Sequence, residues 1–377
     1  MKLICTQENF KKAILNVEKV TSKQITLPIL KNILLETKDG RLIISATNLE
    51  IGVISKIGAK IERDGVVTIP ARLISDFITN LPQGGNIELE LDNQVLRVIC
   101  GKYKAKINTI DPEDFPIIPK PKNDYQFSLN GDILKDTINK TLICINLNNT
   151  RVEFTGININ FNDKEVLFAS TDSFRLTEVG VNIKKREGYG EISGKSVIIP
   201  VETLREVNKI LSNNNKEKQI LVTIDNNQIF FNINDTMIVS RLINGNYPNY
   251  KQIIPDNFKT SININKSELL RSIKIASVFT KMKEGEINIK IKNNQLIIKS
   301  EIVETGENEV VIDIDKGNDD QEIVLNPKYL IDGLSTIETE RVLLLINSSD
   351  SPFGIKMINN DNETVDKYIY IIMPINK

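Results

Sequence analysis

Histidine is absent from this 377-residue chain and cysteine occurs only three times. Without histidine there is no Ser-His-Asp triad, no imidazole general base and no His-ligated zinc. Cys5, Cys100 and Cys144 lie far apart, each in an apolar run, and read as buried free thiols. No run of 18 apolar residues occurs, so no segment is expected to span a membrane. The opening Met1-Lys2-Leu3-Ile4-Cys5 soon meets Gln7, Glu8 and Lys11, unlike a secretory signal, and cytoplasm is the expected compartment. An excess of one charge sign is missing too: 48 basic residues face 49 acidic ones, for a net charge of −1. That balance argues against coating nucleic acid by bulk electrostatics, but it allows positive charge to gather on one face.

What the chain does have is a pattern stated three times. A β-type run reaches proline just before an amphipathic helix at Val66–Pro70, Val197–Pro200 and Ile323–Pro327, with the prolines about 130 residues apart. A period of that size repeats whole domains. The expected boundaries are 1–120, 125–254 and 257–377, with a proline- and lysine-rich linker from Pro116 to Asp124.

In the first copy, Phe10, Ala13, Ile14 and Val17 make a helical stripe, and a second helix is expected to bury Leu73, Ile74, Phe77, Ile78 and Leu81. Asp39-Gly40, Asp92-Asn93, Asn162-Asp163, Asn226-Asn227 and Asn293-Asn294 mark hairpins. The second copy opens with a strand from Tyr125 and a helix around Ile133, Leu134, Ile138 and Leu142. In the third, Ser267 is the expected N-cap of a helix carrying Leu269, Leu270, Ile273 and Ala276, and Lys367–Pro374 the last strand. Strands dominate, with two helices per copy. The fold class is α+β, with helices collected on one face of antiparallel sheets.

The non-core faces of these six helices carry Lys11, Lys12, Arg72, Lys135, Lys140, Arg205, Lys209, Arg271, Lys274 and Lys328. On one helix such lysines would be an ordinary solvated face. The same bias on six helices of a neutral chain points to a shared surface for a polyanion.

Catalytic and metal constellations do not emerge. No G-x-x-x-x-G-K-[ST] loop is present. Asp313, Asp315, Asp319 and Asp320 read as a solvated strand end, and Thr171-Asp172-Ser173 has no base beside it. The chain reads as non-enzymatic, with neither cofactor nor metal.

Several segments carry a resemblance: Thr26–Leu35, Ala46–Ile51, Thr68–Arg72 and Asp114-Phe115-Pro116, then Ala169–Leu176, Asn244–Tyr250 and Tyr370–Ile375. In order and spacing, over essentially the full length, they resemble the bacterial DNA polymerase III beta subunit family, the replicative sliding clamps. The resemblance implies three clamp domains, with sheets outside and two helices per domain lining a central hole. It implies a head-to-tail homodimeric ring that encircles duplex DNA without reading sequence and gives the replicative polymerase its processivity.

It also implies a hydrophobic groove for peptide tails of the polymerase III alpha subunit, the clamp loader, repair polymerases, and ligase and mismatch-repair proteins. Carried over residue by residue, its wall is Phe154, Thr171, Ser173, Phe174, Arg175, Leu176, Pro248, Ile253, Asn326, Tyr329, Ile371 and Met373. The chain departs from the family in places. Ser173-Phe174 stands where Gly-His or Gly-Tyr is common. Gln24, Val152 and Glu153 occupy DNA-contact positions, leaving Lys23 and Arg151 as substitutes. Ala105 replaces an interface aromatic, leaving Ile107 and Val278 as apolar interface contacts, and Lys283 aligns with a pocket phenylalanine. Two rival readings remain: a monomeric peptide-binding scaffold, and a hydrolase built on the Asp313–Asp320 cluster.

Overall fold

A computed structural model describes residues 1–21, 27–122, 125–163, 165–186, 188–213, 219–225, 227–281, 285–314, 320–359, 361, 363–365 and 367–375. Among these residues the helices are α1 (Gln7–Val17), α2 (Ala71–Thr79), α3 (Gly131–Leu142), α4 (Tyr189–Ile192), α5 (Val201–Ser212), α6 (Lys266–Ser277) and α7 (Pro327–Thr336). No helix is long and apolar enough to cross a membrane.

The chain forms two compact units. The first comprises Met1–Lys135, Ile183–Ser193 and Glu202–Leu242. Its five-stranded sheet runs Lys60–Arg63, Lys2–Thr6, Asn86–Asp92, Val95–Cys100, Tyr103–Asn108. Its nine-stranded sheet runs Lys184–Lys185, Tyr125–Asn130, Gln219–Asp225, Gln228–Ile233, Thr236–Arg241, Ile51–Gly58, Arg41–Thr47, Asn32–Lys38, Val66–Pro70. Strands of the first and second copies meet inside this sheet, with Met237 opposite Ile54 and Val239 opposite Gly52.

The second unit comprises Asp136–Asn182, Gly194–Val201 and Ile243–Lys377. Its eight-stranded sheet runs Ser196–Pro200, Gly156–Phe161, Glu165–Thr171, Arg175–Asn182, Tyr368–Ile372, Phe353–Ile358, Arg341–Ile346, Thr260–Asn265. A four-stranded sheet runs Gly306–Asp313, Gln295–Ile302, Ile287–Lys292, Gln321–Leu325. Here strands of the second and third copies meet, with Leu176 opposite Ile371. Helices α6 and α7 pack on these sheets through Leu269, Ile273, Ala276, Leu330 and Leu334.

Local chemistry explains most turns. Asp39 and Gly40 hold φ of 50° and 71°, and Asn293 and Asn294 hold 51° and 60°. These left-handed pairs are what a two-residue hairpin with native twist requires. Asn226 lies outside the described residues.

Three expectations are corrected. The N-cap of α6 is Asn265, whose side chain accepts from the Glu268 N–H at 3.0 Å. The strand Thr260–Asn265 feeds straight into the helix, so Ser267 already lies in its first turn. Leu73 is exposed, because it lies at the margin of its helix's apolar stripe. The last strand is Tyr368–Ile372, shorter than expected at both ends. The three cysteines are free and buried, and burial pushes the Cys5 and Cys144 thiols up to about 12.

Candidate functional site

The strands Glu165–Thr171 and Arg175–Asn182 are joined by a turn that side chains hold shut. Asp172 Oδ1 accepts the N–H groups of Phe174 and Arg175, both at 3.0 Å. Thr171 Oγ1 donates to the Arg175 carbonyl at 2.7 Å and accepts the Ser173 N–H at 3.1 Å. Ser173 sits at φ 79°, a left-handed geometry that costs a non-glycine residue energy. The result is that Phe174 is turned outward and left 59% exposed, while the Met373 N–H donates to its carbonyl at 2.8 Å.

Arg175 is folded back beneath the turn. Its Nε donates to Asp172 Oδ2 at 3.0 Å and its Nη1 to Asp332 Oδ2 at 2.6 Å. The guanidinium lies 4.5 Å from the Tyr329 ring centroid, and that ring stacks with Phe174 at 6.5 Å and 25°. Tyr370 Oη donates to the Tyr329 carbonyl at 2.9 Å, which ties α7 to the sheet. Two carboxylates already engage Arg175, so its work is to lock α7 onto the turn.

Leu176 and Ile371 are buried beneath, in a cluster with Ala169, Tyr250 and Ile369. Tyr247 Oη accepts the Thr171 N–H at 3.0 Å, and its ring meets that of Phe154 edge-on at 6.0 Å. Burial pushes the Tyr247 hydroxyl's pKa up, so it stays a neutral partner. Pro248 follows Tyr247, and Ile253 is partly exposed at the end of the short turn Tyr250–Ile253.

Thr171, Ser173, Phe174, Arg175, Leu176, Ile371, Met373, Tyr329 and Phe154 are thus joined by direct or single-residue contacts. The Asn326 side chain caps α7 by accepting the Lys328 N–H at 2.9 Å. Asp172, Tyr247 and Asp332 were absent from the sequence-derived set. The Asp-x-x-Arg spacing could have revealed Asp172, whereas Asp332 approaches from 157 residues away. Lys283 lies outside the described residues.

The basic residues divide. Lys12, Arg72, Arg205, Arg271, Lys274 and Lys328 are exposed, while Lys11, Lys135 and Lys209 are half-buried. Arg205 pairs with Glu202 at 2.7 Å and Lys209 with Glu206 at 3.5 Å. Burial, with Lys19 nearby, holds the Lys209 pKa below the usual lysine value. Lys140 does not belong to an exposed face. It is 4% exposed, paired with Asp136 and set 5.7 Å from the Tyr368 ring centroid, because its position on α3 turns towards the sheet. Arg151 is exposed but lies off the helices, 4.7 Å over the Phe154 ring. Lys23 and Gln24 lie outside the described residues.

Ala105 is half-buried on the edge strand Tyr103–Asn108 and Val278 is 73% exposed at the end of α6. Ile107 departs from expectation: it is buried opposite Leu96 on the inner face of its strand and offers little outward surface. Asp313 accepts from Gln295 Nε2 at 3.2 Å at an exposed strand end, and Asp315 and Asp319 lie outside the described residues. Among the described residues no group of three or more His, Cys, Asp or Glu could hold a metal ion.

Three α+β copies, with antiparallel sheets and two principal helices each, define a chain of DNA-clamp domains. The N-terminal, central and C-terminal domain models of the DNA polymerase III beta subunit match residues 1–119, 128–249 and 251–376. The chain belongs to the DNA polymerase III beta subunit family. It is 29% identical to the beta sliding clamp of Bacillus subtilis over 392 residues, covering 100% of this chain and 99% of that one. It is 25% identical to that of Synechococcus elongatus over 379 residues, again 100% and 99%. Among solved structures, the Bacillus subtilis DNA polymerase sliding clamp superposes with a TM-score of 0.91 at 25% identity, covering 100% of this chain and 99% of that one. A DNA polymerase III beta subunit from Eubacterium rectale gives 0.90 at 29% identity, covering 100% of both chains. The chain is therefore a non-catalytic sliding-clamp subunit of DNA polymerase III.

Proposed function

We propose that two copies of this chain close head to tail into a ring around duplex DNA and tether the replicative polymerase to it. The observation that carries this is the set of exposed cations repeated on helices of all three copies in a chain of net charge −1. Cations on the lining would grip the phosphates, while acids elsewhere discourage binding along the outside. Contacts to phosphate alone carry no sequence information, so the ring can move along any duplex. Tight pairing would hold it in place, whereas encirclement retains it through weak, exchangeable contacts. Among the described residues, the strands Tyr103–Asn108 and Gly306–Asp313 lie at sheet edges with one row of backbone groups unpaired, and pairing them between subunits would close the ring.

The turn bearing Phe174, with Tyr329 and Met373, offers exposed apolar surface over a fixed floor. It would dock short peptide tails of the polymerase III alpha subunit, the clamp loader, repair polymerases, and ligase and mismatch-repair proteins. The three copies stand as the domains 1–120, 125–254 and 257–377, working in the cytoplasm on the nucleoid. The test is retention after loading. The protein should stay on nicked circular DNA and leave rapidly once the circle is cut to a line; equal retention on both would remove the topological basis of the proposal.

A further inference from the structure

The turn that presents Phe174 has a twin in the first unit, Thr47-Asn48-Leu49-Glu50-Ile51. Asn48 Oδ1 accepts the N–H groups of Glu50 and Ile51 at 3.0 and 2.8 Å. Thr47 Oγ1 donates to the Ile51 carbonyl at 3.0 Å and accepts the Leu49 N–H at 3.1 Å. Leu49 sits at φ 77°, against 79° for Ser173. The strands below match as well. Gly52 pairs with Val239 as Leu176 pairs with Ile371, and the Arg241 N–H donates to the Glu50 carbonyl at 3.1 Å as that of Met373 donates to Phe174.

Gly52 therefore stands where Leu176 would be, and the space of the missing side chain is filled from elsewhere. Asp114-Phe115-Pro116 repeats the pattern of Asn246-Tyr247-Pro248, and two residues later Ile118 lies over Gly52. A Cβ on Gly52 would fall 2.8 Å from Ile118 Cγ2 and 3.0 Å from Val239 Cγ1. Ile118 also packs on the cluster of Ile29, Leu30 and Phe115.

We infer that the first unit contains a second docking recess on the same frame, and that its ligand is this chain's own linker residue Ile118. The inference rests on the reading that the recess of Leu176, Ile371 and Met373 docks partner peptides. The ligand chemistry is a branched aliphatic side chain on a segment bracketed by Pro116 and Pro119, whose restricted backbone lowers the entropy lost on seating it. Because the segment is tethered, its effective concentration excludes a free competitor. Each chain consequently docks one peptide, although it carries two frames.

The experiment is a calorimetric titration of the full chain with a synthetic peptide bearing adjacent leucine and phenylalanine. The parent protein should bind one peptide per chain. Ile118→Ser should bind two, the second at least about tenfold more weakly, because Glu50 and Arg241 replace the apolar Phe174 and Met373 at its rim. A folded Ile118→Ser protein that still binds a single peptide overturns the inference. Should that variant fail to fold, Gly52→Ala decides: its Cβ should displace Ile118 and speed tryptic cleavage after the exposed Lys122, and cleavage at the parent rate overturns it. Met373→Ala tests the parent reading separately, since it should weaken the first site and leave the second unchanged.

Discussion

Lys140 and Arg205 looked alike in the sequence, each a basic residue on an amphipathic helix, yet the structure gives them opposite tasks. Lys140 is buried against Asp136 and Tyr368, whereas Arg205 reaches solvent. Removing one partner of a largely buried pair strands the other, discounted here because Asp136 keeps some access to water. Lys140→Ala should cost roughly 1–3 kcal/mol in denaturant unfolding and leave the salt dependence of DNA binding unchanged. Arg205→Ala should do the reverse, with near-native stability and a shallower salt slope. At the pocket, Met373→Ala should weaken a docked peptide by roughly 1–2 kcal/mol, about tenfold, with no change in unfolding midpoint. The turn residues were legible because Thr171–Leu176 is contiguous. Asp332 was not, because only tertiary folding brings α7 to Arg175.

At the level of elements, hairpins were the most legible feature. Asp39-Gly40 and Asn293-Asn294 adopt left-handed geometry that residue types of this kind tolerate. Apolar stripes were less so: periodicity identified the buried Ile74 but not where the stripe ends, so the exposed Leu73 was assigned inward. The α6 cap shows the same limit, since Asn265 and Ser267 are both capping types and only the strand's end decides between them. Asn265→Ala should lower stability by about 1 kcal/mol and Ser267→Ala by far less, read as the difference in thermal midpoints.

For the whole molecule, fold class and the exclusion of histidine chemistry followed from composition and pattern, while the subunit contacts did not. Ile107 looked like an outward contact until its strand register turned it inward opposite Leu96. Val278 is the apolar surface that remains at the end of α6. Val278→Asp should shift sedimentation towards the monomer at micromolar concentration and shorten retention on nicked circles. A variant sedimenting like the parent would remove Val278 from the interface.

The seam between the first and second copies runs through the interior of the nine-stranded sheet, where Thr236–Arg241 lies against Ile51–Gly58. The seam between the second and third lies likewise inside the eight-stranded sheet. The repeated segment and the self-supporting body are therefore offset, like courses of brick laid in running bond. A single copy cut from the chain would carry that interior strand bare. Joining the copies in one chain keeps the right neighbour permanently beside a strand that would otherwise have to find one by association.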